Sequence, residues 1–212
     1  MLRGAFAAII AIVPIGSRTD PDACTRPHRQ PDYDRRMPRS PVPAVVSVQQ
    51  VTPAIAAAVR ALRADPAQYA YVGDVASNLI DTEADPDSEA MAVLADGEVI
   101  GFYRLDLRPG AVAGCDYGNA CAALRSLLID RSWQGRGLGT RAINACCEDL
   151  ERRHPRVRLL ALTVHCDNQV ALQAYRNAGF VDSGRMDFGA RSGPQHVLLR
   201  TLGSGDMGKS AA

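Results

Sequence analysis

The stretch Gln134-Gly135-Arg136-Gly137-Leu138-Gly139-Thr140 has the residue types and spacing of an anion cradle. Its three glycines let the backbone approach a ligand without Cβ clashes. An apolar run, Leu124 to Ile129, leads into the loop and a helical pattern leads out. Unpaired N–H groups and the positive end of a helix dipole would then face a phosphate. Glycine is common enough for chance to supply such a loop, so its context must decide. Downstream, Asn168 and Tyr175 lie seven positions apart, which puts them on one helix face, roughly 10 Å apart along the axis. Tyr175 has an ordinary pKa of about 10 and keeps its proton at neutral pH.

These residues need elements to hold them. Order is expected from Ala44, with a first strand through Val45 to Val51. Thr52-Pro53 reads as an N-cap and first helical position for a helix over Ala54 to Arg63. A second helix is expected over about Gln68 to Ile80, followed by an acidic stretch, Asp81, Glu83, Asp85, Asp87 and Glu89. Two β-rich runs flank Asp96-Gly97, a hairpin signal. Leu124 to Asp130 is apolar on nearly both faces, as in a central strand. After the glycine loop, Ile143, Cys146, Cys147 and Leu150 form one apolar stripe, with Glu148 and Arg152 spaced for an ion pair on the other face. A strand over Arg158 to Val164 follows, then a helix over Asn168 to Ala178 with Asp167 as its N-cap and Gly179 closing it. Phe180 to Met186 and Gln195 to Leu202 read as the last two strands. The fold class is α/β with a mixed sheet.

The chain of 212 residues can hold one domain with a substantial core. A formal net charge of +1 gives no global attraction to nucleic acid or to a membrane surface. The six cysteines show neither Cys-x-x-Cys nor metal spacing, so they read as small buried hydrophobes in a reducing compartment. Residues 1–43 combine a short apolar run behind Arg3 with a proline-, arginine- and aspartate-rich stretch. An export signal, a disordered extension and a start codon set too far upstream all fit; the intracellular character of the rest favours the last two. The domain is expected over 44–203, with a flexible tail over 204–212.

A strand, Gln134-x-x-Gly137-x-Gly139, a helix, a strand, and then Asn168…Ala171…Tyr175…Gly179-Phe180 resembles the GNAT superfamily of N-acetyltransferases, over about residues 45–202. The resemblance implies a central mixed sheet of about seven strands flanked by about four helices. It also implies acetyl-CoA as co-substrate and no metal. Backbone N–H groups of Gln134, Gly135, Arg136, Gly137, Leu138, Gly139 and Thr140 would hold the pyrophosphate. Leu127, Leu128 and Ile129 would pair with the pantetheine arm like an added strand. An N–H at about Leu128 or Ile129 would stabilise the thioester oxygen, a contribution of typically ~3–4 kcal/mol to the barrier. Asn168 would bind the cofactor arm, and Tyr175 would donate a proton to the departing thiolate.

The acceptor is harder to read. An alkyl amine with a pKa of about 10.4 must lose a proton at a cost of roughly 4–5 kcal/mol at pH 7. Polyamine acetyltransferases of this family, which Gln68 to Leu105 and Asp187-Phe188-Gly189 faintly resemble, tend to carry an acid at the position of Arg125. An arginine there would repel a polyamine or pair with a substrate carboxylate. Asp81 and Glu83 are candidates for a rim that attracts a cation; Asp74, Asp81, Glu83 and Asp116 are all open as a base acting through water. Trp133 and His165 read as packing and strand-end residues, and His196 as a residue that could line the acceptor site. The expected activity is acetyl transfer to a primary amine of a small molecule by direct attack in a ternary complex, in the cytoplasm, with a homodimer left open. Acetylation of a protein or peptide amine, and an acyl-CoA-binding module without turnover, are the alternatives. A dinucleotide site fits less well, because the glycines do not follow Gly-x-Gly-x-x-Gly.

Overall fold

The computed structural model describes residues 44–112, 115–189 and 193–203. The expected extension over 1–43 and the tail over 204–212 lie outside the described residues. Seven strands form one sheet in the order β1-β2-β3-β4-β5-β7-β6. The strands are β1 Val46–Gln50, β2 Ser88–Ala95, β3 Glu98–Asp106, β4 Cys121–Ile129, β5 Leu159–His165, β6 Val181–Asp187 and β7 Gln195–Thr201. Among the described residues only β4 and β5 pair in parallel. The Asp96-Gly97 hairpin forms as expected, both residues at positive φ (49° and 85°), the geometry of a primed turn.

Among the described residues, four helices of eight residues or more flank the sheet: α1 Pro53–Arg60, α3 Val75–Glu83, α4 Leu138–Arg153 and α5 Gln169–Asn177; α2, Tyr69–Val72, is a single turn. One sheet face packs Leu124, Leu127, Ile129 and Leu162 with the α4 stripe of Ile143, Cys146, Cys147 and Leu150 and with Leu172 and Tyr175 of α5. The opposite face packs Phe102 and Leu128 with Val59 of α1 and with Val75 and Leu79 of α3. This is the flanked seven-stranded architecture that the motif order implied.

Two features of β4 shape the middle of the sheet. Its pairing with β5 stops after Cys121↔Leu159, Ala122↔Leu160 and Ala123↔Ala161. Beyond that point β4 stays on β3 as far as Ile129↔Gly101, and β5 stays on β7 as far as His165↔Gln195. The two strands therefore part while each is held on its outer edge, leaving a notch between them. The second feature is a bulge. The β3 register runs Arg104↔Arg125 and then Phe102↔Leu128, so Ser126 and Leu127 together face one residue, Tyr103. Ser126 has φ +52°, a left-handed conformation outside glycine's usual role. Gly101 permits this contact: a Cβ there would lie 2.5 Å from the Leu128 carbonyl oxygen.

The structure corrects several local expectations. The helix expected over Gln68 to Ile80 is broken, because Gly73 takes φ +71° and Asp74 restarts the chain as an N-cap, accepting from the Ser77 N–H at 2.9 Å. Asn168, not Asp167, caps α5, with its Oδ1 accepting from the Ala171 N–H at 3.0 Å. Arg152 pairs with Asp149 rather than Glu148, because buried Asp149 also gathers Arg153, at 2.7 Å. Thr52 sits at the N-cap of α1 without a side-chain cap bond, leaving Pro53 to set the first turn.

Candidate active site

The glycine loop lies at the mouth of the notch, between the end of β4 and the start of α4. Gly137 is the N-cap of α4 at φ +70°, with no side-chain cap bond and no acid in the first turn. Gly135 also has positive φ (76°), and a Cβ at either glycine would meet nothing within 4 Å. The helix thus begins beside open space, with its first N–H groups uncapped by a side chain and no carboxylate in its first turn to compete with an anion. Gln134 fixes the loop to its surroundings: its Nε2 donates to the Ile129 carbonyl at 2.8 Å, and its side chain exchanges contacts with Gln68 at 3.2 and 3.3 Å. Arg136 donates to the Ser132 carbonyl at 3.0 Å and stacks 5.0 Å from the Trp133 ring centre. Trp133 is half-buried against the core, as expected of a packing residue.

Leu127, Leu128 and Ile129 form the unpaired edge of β4 along the notch, each about 1% exposed as a residue. Asn168 is half-buried at the start of α5, its Oδ1 committed to capping. Tyr175 is fully buried, edge-on to Phe180 with ring centres 5.5 Å apart. Its hydroxyl has no hydrogen-bond partner. Burial, reinforced by nearby Cys146, pushes the phenol well above its usual pKa, so Tyr175 carries its proton at any physiological pH. An orphaned buried hydroxyl costs stability, and a thiolate or other acceptor delivered to it would repay that cost.

The other face of β4 carries a different chemistry. Arg125 is 14% exposed at the side chain; it lies 3.3 Å from Asp106 and donates to the Ala111 carbonyl. Asp106 has no exposed side-chain surface and also binds Arg108 at 2.6 Å. Asp85 bridges Arg108 (3.3 Å) and Arg104 (3.8 Å), and Arg104 reaches Asp81 at 3.9 Å. Burial opposes ionisation of Asp106, but the Arg108 and Arg125 guanidiniums outweigh it and hold the carboxyl below the usual range. Glu83 is exposed at the end of α3, and the side chain of Asp81 is half-exposed. The structure thus joins Arg125 and Asp81 through one network, in which Glu83 takes no part among the described residues.

Sequence reasoning missed Asp106, Asn78, Gln68 and Tyr71. Asp106 lies on β3 opposite Ala123 rather than on β4 itself, and no sequence signal gave the β3–β4 register. The Asp74–Ser77 cap, had it been read, would have put Asn78 on the buried side of a helix. Tyr71 packs its ring 5.2 Å from His165, whose Nδ1 accepts from the Asp167 N–H at 3.1 Å. That agrees with a strand-end role for His165. His196 pairs with Asp182 at 2.9 Å on β6 and β7.

Similarity to known proteins agrees with this geometry. The family model described as Acetyltransferase (GNAT) family matches residues 56–180, more than half of the chain. A probable spermine N(1)-acetyltransferase from Bacillus subtilis subsp. natto is 24% identical over 157 residues, covering 74% of this chain and 99% of the relative. The fold matches AAC(6')-Ib in complex with paromomycin and acetyl-CoA at a TM-score of 0.62 and 21% identity, over 79% of this chain and 99% of the other. It also matches spermidine N-acetyltransferase from Vibrio cholerae in complex with CoA and spermine, at a TM-score of 0.56 and 16% identity, over 74% and 95% of the two chains. The notch, the open helix start and the motif match converge: the chain belongs to the acetyltransferase (GNAT) family, with acetyl-CoA as its co-substrate.

Proposed function

We propose that this acetyltransferase acetylates a primary amine of a small polycationic molecule by direct attack within one ternary complex. The observation that carries the reading is the parting of β4 and β5 after Ala123 and Ala161, directly beside an uncapped helix start. N–H groups of Gly135 to Thr140 would hold the pyrophosphate, and the free edge of Leu127 to Ile129 would pair with the pantetheine arm. An N–H near Leu128 or Ile129 would take the charge that grows on the thioester oxygen as the amine nitrogen bonds to carbon. As the C–S bond breaks, Tyr175 would give its proton to the sulfur, and the proton lost by the amine would return to the tyrosinate through water.

The acceptor class follows from charge. An isolated arginine at position 125 would repel a cation. Here Arg104, Arg108 and Arg125 face Asp81, Asp85 and Asp106, three against three, so the network is neutral in sum. Exposed Glu83, at the end of the helix that carries Asp81, adds one negative charge to that balance and favours a cation. The names of the relatives, a spermine acetyltransferase and an aminoglycoside acetyltransferase, fit the same class. A cytoplasmic setting fits the buried thiols of Cys121, Cys146 and Cys147, none of them in a disulfide.

The test is thiol release from acetyl-CoA over an amine panel of polyamines, aminoglycosides, amino acids and a peptide N-terminus, with acetyl-CoA binding measured by calorimetry. Release with polyamines or aminoglycosides is expected. Binding without release from any amine would make the chain an acyl-CoA-binding module, and release confined to the peptide would move the acceptor to protein. A trapped acetyl-enzyme would sink direct attack.

A further inference from the structure

Ser126 holds a left-handed φ of +52° inside a strand, which is uphill for a residue with a Cβ. Something must keep it there. Its hydroxyl is buried, 1% exposed as a residue, and donates to Asn78 Oδ1 at 2.9 Å. Asn78, itself 5% exposed, is fixed in turn: its Nδ2 and its backbone N–H both reach the Asp74 carbonyl at 3.0 Å. That donation sets the amide orientation, so Oδ1 faces Ser126, and a flip would set Oδ1 against the Asp74 carbonyl oxygen. The helix beneath is anchored by the Asp74 cap and by Val75 and Leu79 in the core.

We infer that Asn78 is a positioning residue for acetyl transfer: through Ser126 it pins the β4 bulge that aims the strand's amides into the notch. This rests on the reading of β4 as the donor edge. An extra residue in β4 shifts by one position which of its N–H groups face β3 and which face the open side. The shift falls at Ser126 and Leu127, just before the amides assigned to the thioester oxygen. Asn78 acts at one remove, through its hydrogen bond to Ser126. The pyrophosphate loop lies beyond the bulge and is tied down separately by Gln134, so acetyl-CoA keeps its main anchor and the rate of transfer falls more than its affinity does.

Asn78→Leu, Ser126→Ala, Ser126→Gly and the Asn78→Leu/Ser126→Ala pair test this. The probes are acetyl-CoA by calorimetry and thiol release with the best amine of the panel. Each single change is expected to lower kcat about tenfold, equivalent to about 1.4 kcal/mol of barrier. Acetyl-CoA affinity should stay within about threefold of the parent chain, a difference too small to place the loss in binding. The double variant should lose no more than about either single change, because both cut the same bond. Ser126→Gly suits a positive φ and should melt no lower than Ser126→Ala, yet remain slow for want of the hydroxyl. Recovery of kcat in Ser126→Gly, multiplicative losses in the double variant, or unchanged turnover in Asn78→Leu would each overturn the proposal. A parent chain that binds acetyl-CoA but releases no thiol would overturn the acetyl-transfer reading first and remove the clamp's role with it.

Discussion

The two sides of β4 are built from different materials. Toward α4 and the notch, the chain offers backbone: glycines at positive φ, an uncapped helix start, and a strand edge that β5 has left. Toward α3 it offers side chains, three arginines and three aspartates drawn from α3 and the loop after it, β3 and the loop after it, and β4. Backbone recognition suits a ligand part that never varies, and a side-chain network can change with the acceptor while the strand stays put. If that division holds, perturbations on the two sides should show in different measurements.

The largest expected effect joins the two sides at the reacting atoms. Tyr175→Phe should lower kcat by roughly 10²–10⁴-fold, the usual worth of a positioned acid. Acetyl-CoA affinity should not move, because the pyrophosphate loop is untouched. Thermal stability should hold or rise, since an unpartnered buried hydroxyl costs ~1–3 kcal/mol. Steady-state kinetics beside a melting curve checks both halves, and unchanged turnover would take Tyr175 out of the chemistry.

Next comes the network. Asp106→Asn removes the carboxylate shared by Arg108 and Arg125, and Arg125 is mostly buried. Breaking such a pair from one side costs about 3–5 kcal/mol, to be read by urea unfolding. The donor side should be indifferent, with calorimetry giving the parent affinity for acetyl-CoA. The pH dependence has a definite sign. Asp106 titrates lower in the folded chain than in the unfolded one, so its contribution is complete above the unfolded pKa of about 3.9. It is lost as the pH falls through the folded value. The parent chain should therefore lose stability on acidification below about pH 4 more steeply than Asp106→Asn does.

The same division explains what could be read in advance. Gln134 to Thr140 and Asn168 to Phe180 are local patterns whose geometry follows from glycine conformations, helix caps and turns, so seven strands, four helices and the loop's place were legible. The bulge was not, because Ser126 gives no sign that a serine will sit at positive φ; Gly101 across the ladder makes room for it. The network was not legible either, because it depends on the register that brings Arg104 opposite Arg125 and Asp106 opposite Ala123. Pairing register is set by tertiary packing, and the loop between β3 and β4 is too long to impose it. The break at Gly73-Asp74 was the avoidable miss, since a glycine followed by an aspartate with a serine three residues on is a helix start.

The smallest of these effects is also the most selective. Gly137 takes φ +70° at the start of α4 with nothing within 4 Å of a would-be Cβ, so a side chain there meets conformational strain but no clash. Valine, branched at Cβ, is poorly suited to that conformation, and strain of about 1–3 kcal/mol is expected. Two outcomes are available to the chain. If the helix start holds its shape, the strain appears as lost stability; if it rotates away, the N–H groups no longer converge and acetyl-CoA binding weakens by roughly 10- to 100-fold. The open surroundings leave the loop free to move, which favours the second. KM for the amine should not change, because the Asp–Arg network lies across β4 from the loop. A Gly137→Val variant with parent affinity for acetyl-CoA and a raised amine KM would reverse the assignment of the two sides.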